Sequence, residues 1–194
     1  MLTKLTRWLD TRRRERALRE YGIADDVWQA TLDGLPFLGY LDAADLARLR
    51  ETASLFIAQK SFSTAHGLEL TDGMIAGIAV QASLPVLNLG LELYRGWVGI
   101  VVYPGEFVIR KTVEDEDGVV HEVEHDASGE AWEGGPVILS WEDAQMTDAR
   151  DAYNVVIHEF AHKIDMLSGE TDGHPPLFKR WHAPLTADEW ASVF

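Results

Sequence analysis

One short segment constrains the fold more than any other, the apolar run NVVIHEFAHKIDM at residues 154–166. It contains His158, Glu159 and His162 at the spacing His-Glu-x-x-His. On a helix, residues four apart lie on one face at about 6 Å, whereas a strand would separate them by about 13 Å. The segment is long enough for about three helical turns, so we predict a largely buried helix with both imidazoles on one side.

This pattern on a helix predicts a zinc site. Two imidazoles on one face can bind the same Zn²⁺, and the carboxylate beside the first can act as general base on a zinc-activated water. We therefore predict His158 and His162 as zinc ligands and Glu159 as the catalytic base. The chain has no cysteine, so thiolate ligands and disulfides are excluded and a reducing cytoplasm is expected.

The same pattern occurs a second time, at residues 121–125. Here the preceding residues are Gly118, Val119 and Val120, which are typical of a strand that leaves a hairpin turn. Because a strand holds residues four apart too far from each other to share a metal ion, we predict solvated strand positions and no metal site.

The third zinc ligand is not obvious from the sequence. A catalytic zinc ion usually has three protein ligands, and the position where metzincins carry a third histidine is Ser168. Asp165 is better suited to orient a ligand or cap the helix, and we expect His174 and His182 to be surface histidines. A complete site within this chain would need Asp165, Glu170, Asp172 or His174. Otherwise the third ligand is expected to be a glutamate beyond residue 194, and the 194-residue chain to have little or no activity.

The remaining sequence predicts an α+β fold in which helices come first, a small mixed sheet follows, and the motif helix comes last. Asp42 and Thr71 are suited to cap two helices, and Pro85 lies where the second must stop. Runs typical of strands cover 97–103, 106–113, 118–124 and 136–141, with an acidic turn at 114–118 and a loop at 128–135. Thr186 is predicted to begin a last helix.

The charge distribution argues against several partners. A net charge of −15 repels nucleic acid, and no run approaches the roughly 20 apolar residues of a membrane span. Residues 1–20 differ, with seven basic and three acidic side chains. We interpret residues 1–34 as a solvated basic helical segment, and residues 35–194 as one domain that is incomplete at its C-terminus.

Several stretches together resemble the Mlc titration factor A family of zinc-dependent peptidases. They are GLEL at 67–70, LPVLNLGLE at 84–92, VVYPGEFVI at 101–109, GPVILSW at 135–141 and NVVIHEFAHKID at 154–165. The resemblance implies a zincin-like core of the gluzincin type and a cytoplasmic, aminopeptidase-like enzyme that acts on peptides. It also implies that residues 137–141 form a sheet edge for an extended substrate, and that the glucose-uptake repressor Mlc is a partner.

Two functions from different classes remain open at this point. The first is a zinc metallopeptidase with the ligands and base named above. The second is a regulatory binding protein that sequesters a transcriptional repressor, in which this chain is catalytically incompetent and the motif helix is only structural.

Overall fold

The structure is a computed structural model that describes residues 2–114, 120–145, 153–169, 171–178 and 185–193, with the main chain alone at 2–8, 109–114 and 120–126. Its α-helices are α1 (Leu2–Tyr21), α2 (Asp25–Gly34), α3 (Ala43–Ile57), α4 (Asp72–Ser83), α5 (Trp141–Ala144), α6 (Val155–Asp165) and α7 (Ala187–Val193). Short 3₁₀ helices cover Pro36–Tyr40 and Leu91–Tyr94. The strands are β1 (Ser61–Thr64), β2 (Gly99–Tyr103), β3 (Phe107–Glu114), β4 (Val120–Ala127), β5 (Gly129–Ala131) and β6 (Val137–Ser140).

The helix starts follow from local side-chain chemistry. The side chains of Asp42, Thr71 and Asn154 each accept a hydrogen bond from the backbone N–H three residues later, which satisfies a donor that the helix leaves unpaired. Helix α4 ends at Ser83, just before Pro85. The predicted starts of α3 and α4, and the stop of α4, are therefore confirmed.

The sheet is small and mixed, as predicted. Its strand order is β1-β2-β6-β5, with β1, β2 and β6 parallel and β5 antiparallel to β6. Alternate residues of the two middle strands are fully buried, namely Ile100, Val102, Val137 and Leu139. Strands β3 and β4 form a separate antiparallel hairpin, and the residues joining them lie outside the described part of the chain.

Three details of the predicted sheet are wrong. Strand β6 is not an edge, because it lies between β2 and β5, and Trp141 belongs to α5, whose N-cap is Ser140. The predicted loop at 128–135 contains the short edge strand β5. A three-residue strand is too short to show an alternating pattern, and β5 becomes visible only when a turn at 132–135 folds it back onto β6.

An aromatic cluster joins helix α6 to the rest of the core. The ring of Phe160 is fully buried, and its centroid lies 5.5 Å from that of Phe56, 5.3 Å from that of Tyr94 and 5.7 Å from that of Trp97. Tilted and edge-on contacts at these distances add to the stabilisation from burial alone. The cluster therefore connects α6 with α3 and with the chain just before β2.

Two lysine side chains flank the indole of Trp97. The Lys60 ammonium lies 3.5 Å from the ring centroid and donates to the carbonyls of Tyr94 and Trp97, at 2.7 and 2.8 Å. The Lys163 ammonium lies 4.6 Å from the same ring. Burial, and then the charge of Lys163, lowers the pKa of Lys60 to about 8, and burial lowers the pKa of Lys163 to about 8.

The two ends of the chain carry exposed helices. Helix α1 packs on α3, where Arg14 pairs with Glu51 at 2.8 Å, and most of its side chains at residues 9–21 are exposed. Thr186 and Glu189 exchange backbone and side-chain hydrogen bonds at the start of α7, which confirms the predicted helix start. The boundary at residue 34 stays a prediction. Within the described ranges, no helix combines the length and the apolar character that crossing a membrane requires.

The aromatic cluster gives a first prediction. Phe160→Ala should lower the free energy of unfolding by about 3–5 kcal/mol, because a fully buried ring is lost and a cavity remains. Urea denaturation followed by circular dichroism measures this change. Tyr40→Ala is the control, since that ring is 71% exposed and its loss should change stability by about 0.5 kcal/mol or less. Equal losses for the two variants would contradict the central place of Phe160.

The buried lysine gives a second prediction. Between its folded pKa of about 8 and its ordinary value of 10.5, Lys60 holds a proton in the unfolded chain that the folded protein has released. The free energy of unfolding should therefore rise with pH in this window, and rise less in Lys60→Met. Denaturation at several pH values measures both slopes. Lys163, whose pKa is also lowered to about 8, contributes to the slope in both proteins, so the difference between the slopes reports on Lys60. Equal slopes would contradict a lowered pKa.

Candidate functional site

The two histidines of the motif helix face the same way. The Nε2 atoms of His158 and His162 are 3.1 Å apart, and the ring centroids are 4.5 Å apart with the planes at 83°. The helix expected at this segment is therefore confirmed, and so is the convergence of the two rings. The expected burial is only partly correct, because one face of α6 is buried while His158 is exposed and His162 half-buried.

The histidine pair fits a metal ion that prefers nitrogen ligands. Tetrahedral zinc with Zn–N bonds of about 2.0–2.1 Å would hold two ligand nitrogens about 3.3 Å apart, close to the distance between these Nε2 atoms. Although His158 is exposed overall, partial loss of hydration at its ring, and then the neighbouring His162, lowers its pKa. A lowered pKa favours the neutral imidazole, which is the form that binds metals.

Glu159 lies on the side of α6 that packs against strand β5. Its side chain is buried, with an exposed fraction of 4%, and it lies directly beside Gly129. A Cβ atom at Gly129 would be 2.7 Å from Cγ and 2.8 Å from Oε1 of Glu159, and 2.7 Å from Cγ2 of Val155. Only glycine leaves room for this approach. The sequence predicted Glu159 but contained no sign of this contact, since Gly129 looked like an ordinary loop glycine.

A buried pair of amides fixes the start of the motif helix. Asn154 caps α6 through Oδ1, and its Nδ2 donates to Oε1 of Gln81 at 2.6 Å. Gln81 is 2% exposed, and its own amide donates to the carbonyls of Gly77 and Ala144. Helix α4 thus fixes the N-terminal end of α6, just before the His-Glu-x-x-His motif, through the hydrogen bond between Gln81 and Asn154. Sequence reasoning missed Gln81, because a polar residue within an apolar helix does not reveal its distant partner.

Tyr153 adds a phenol beside the first histidine. Its ring centroid lies 5.3 Å from that of His158, and the side chain is 54% exposed. Partial loss of hydration, and then the negative charges of Glu159 and Asp143, raises the pKa of Tyr153. The phenol beside His158 therefore remains a neutral hydrogen-bond donor. The sequence analysis did not identify this residue.

The candidates for a third ligand take different positions. Asp165 is buried; its Oδ2 accepts from the backbone of Gly173 at 2.9 Å, and its Oδ1 has no hydrogen-bond partner among the described residues. His174 lies at the surface, 3.5 Å from Asp172. Within the described ranges, no group of three or more His, Asp or Glu side chains is placed to hold a metal ion. Glu170 and His182 lie outside the described residues.

An open cavity of about 710 Å³ borders the histidine pair. Its lining is mainly apolar and comes from α6, from the segment 171–178 and from α7. The indole N–H of Trp190 in α7 donates to the carbonyl of Gly173 at 2.8 Å, and the backbone N–H of Gly173 donates to Asp165 of α6. Gly173 therefore links α6 and α7 along the wall of the cavity. The cavity gives the histidines an opening to solvent large enough for a peptide side chain.

The second copy of the motif lies in a strand, as predicted. Residues 121 and 125 belong to β4 and pair with Val113 and Ile109 of β3 in an antiparallel ladder. In this extended conformation they are about 13 Å apart along the chain. The backbone alone therefore separates the two copies: one lies on a helix and the other on a strand.

Known proteins resemble this chain over most of its length. The sequence matches the family described as glucose-regulated metallo-peptidase M90 over residues 9–194. Mlc titration factor A of Klebsiella pneumoniae subsp. pneumoniae is 37% identical over 158 residues, 81% of this chain and 59% of that protein. The Serratia proteamaculans protein of the same name is 40% identical over 151 residues, 77% of this chain and 57% of its own length.

The chain thus spans somewhat less than three fifths of the length of these curated relatives. The resemblance noted from the sequence motifs is confirmed, because the family match covers nearly the whole chain and includes the motif helix at Val155–Asp165. Identity of 37–40% is spread over at least 151 residues and is not confined to one motif. The chain belongs to the glucose-regulated metallo-peptidase family M90.

Proposed function

We propose that the protein is a zinc-dependent peptidase with aminopeptidase-like activity and a zincin-like core of the gluzincin type. His158 and His162 are the proposed zinc ligands and Glu159 the proposed general base. The observation that carries the proposal is the 3.1 Å distance between two Nε2 atoms on one helical face, with a buried carboxylate on the adjoining face. Zinc bound there would act as a Lewis acid that acidifies water and polarises a carbonyl group.

Each residue of the site has a distinct task in this proposal. Glu159 takes a proton from the attacking water and returns it to the leaving amine, which requires a carboxylate held in one orientation. Its burial against Gly129 supports such an orientation. Tyr153 donates a hydrogen bond to the carbonyl oxygen on which charge develops, as its neutral phenol beside His158 allows.

Strand β5 is the proposed binding edge for the substrate. It ends the sheet, and among the described residues no further strand pairs with its outer side. An extended peptide can add to such an edge through main-chain hydrogen bonds. Because Gly129 of β5 touches Glu159, a peptide bound along this edge would have its carbonyl groups close to the base. We propose a cytoplasmic location for this activity, consistent with the absence of cysteine.

The base assignment gives a third prediction. Glu159→Gln should keep zinc but abolish peptide hydrolysis, because a base is lost and no ligand is lost. His162→Ala should lose both the metal and the activity. In the full-length protein, zinc content is measured by inductively coupled plasma mass spectrometry and compared with the hydrolysis rate. The two measurements distinguish loss of the base from loss of a ligand.

His174→Ala is the matched control, since this histidine is exposed and lies 3.5 Å from Asp172, and its loss should leave zinc and rate unchanged. Hydrolysis by Glu159→Gln at the wild-type rate would refute the base assignment. Full zinc content in His162→Ala would refute the ligand assignment.

We propose binding of the repressor Mlc as a second function, independent of catalysis. The observation that favours it is the name Mlc titration factor A, which relatives 37–40% identical to this chain carry. A surface that binds a protein partner does not need a proton acceptor in a buried site. The two functions can therefore be separated by one substitution.

Mlc binding gives a fourth prediction. Glu159→Gln should bind purified Mlc with the affinity of the wild-type protein, because this side chain is 4% exposed and contributes almost nothing to the surface. Isothermal titration calorimetry with Mlc measures both affinities. If neither protein binds Mlc, the second function fails, and if only the wild type binds, the two functions share one site.

A further inference from the structure

Lys163 follows the second histidine of the motif but lies on the opposite, buried side of α6. Its exposed fraction is 3%, and its ammonium donates to the carbonyl of Trp132 at 2.5 Å and to that of Gly135 at 2.9 Å. These carbonyls stand at the two ends of the turn that joins β5 to β6. One cation on the motif helix therefore clamps the turn that carries the edge strand.

The hydrogen bonds of Lys163 matter because β5 is a short strand at the edge of the sheet. The strand has three residues, and it pairs with β6 on one side only. Its turn is closed by hydrogen bonds from Gly135 to Trp132 and from Trp132 to Pro136, each at 3.1 Å. Hydrogen bonds from an ammonium group are stronger than those between neutral groups, so Lys163 supplies the strongest contacts that the turn makes.

The other end of β5 also rests on α6. Gly129 lies against Glu159, which is one helical turn before Lys163. The edge strand is thus fixed to the motif helix at both ends, by close packing at Gly129 and by charge-assisted hydrogen bonds at the turn. Both attachments determine the distance between the outer edge of β5 and the carboxylate of Glu159.

We propose that Lys163 is a positioning residue that holds β5 at a fixed distance from the carboxylate of Glu159. An extended peptide bound along the outer edge of β5 then presents its scissile carbonyl to the proposed base. This inference rests on the proposed function. It adds a preference for substrates with several residues along β5, because a single aminoacyl group does not reach far enough to use the edge. Loss of the Lys163 hydrogen bonds should therefore lower kcat/KM more for long substrates than for short ones.

Lys60 offers a matched control within the same cluster. It is half-buried, lies over the same indole of Trp97 and, like Lys163, donates to two backbone carbonyls. Its carbonyl partners, however, belong to Tyr94 and Trp97, which lie before β2 and far in sequence from the turn at 132–135. Removing either lysine deletes a cation beside Trp97, but of the two only Lys163 donates hydrogen bonds to the turn.

The experiment compares Lys163→Met with Lys60→Met in the full-length zinc protein. One measurement is kcat/KM for a hexapeptide and for an aminoacyl anilide. The expected result for Lys163→Met is a loss of about tenfold or more with the hexapeptide and about twofold or less with the anilide, whereas Lys60→Met changes both equally. The other measurement is hydrogen exchange, which should accelerate at residues 129–135 in Lys163→Met and not in Lys60→Met.

Equal losses on the two substrates, or unchanged exchange at residues 129–135 in Lys163→Met, would overturn the proposal. If Lys163→Met does not unfold cooperatively, Lys163→Gln also removes the charge, and the same two measurements on that variant support or overturn the proposal in the same way. If the wild-type protein hydrolyses neither substrate, the proposed function fails. Hydrogen exchange then still decides whether Lys163 holds the turn, since accelerated exchange supports the clamp and unchanged exchange rejects it.

Discussion

The packing of Phe160 against Phe56, Tyr94 and Trp97 is the contact on which the rest of the site depends. A helix turns by about 100° per residue, so residues two positions before and after a buried residue point away from it. Burial of Phe160 therefore directs His158 and His162 together toward the open cavity. The apolar core thus orients the polar site, and the histidines need no partner within the core to converge.

The same helix uses its other sides to organise the sheet edge. Glu159 packs against Gly129 of β5, and Lys163 binds the turn that follows this strand. Through these contacts, Glu159, the proposed base, and the edge strand form one unit whose parts cannot move far independently. A buried ammonium group is well suited to this task, because backbone carbonyls satisfy its hydrogen bonds and no buried counter-ion is needed.

Membership of the M90 family and the geometry of α6 support a peptidase, while the names of the relatives support a regulator. These functions are compatible, because they need different surfaces. The proposed hydrolysis would use the buried carboxylate and the cavity beside the histidines, whereas binding of a protein partner would use exposed side chains. One chain can therefore carry both.

The sequence by itself determined the elements with strong local signals. Helical spacing of His158 and His162, the caps at Asp42 and Thr71, and the apolar runs of β2 and β6 are properties of neighbouring residues. They predicted these elements correctly, apart from Trp141 at the end of β6. Only the tertiary structure decided that β5 is the edge, that Gly129 touches Glu159, and that Gln81 and Lys163 fix the motif helix to its surroundings. These contacts join residues about 30 to 70 positions apart, such as Gly129 with Glu159 or Gln81 with Asn154. Local periodicity carries no information about such pairs, because they depend on how the chain closes its loops.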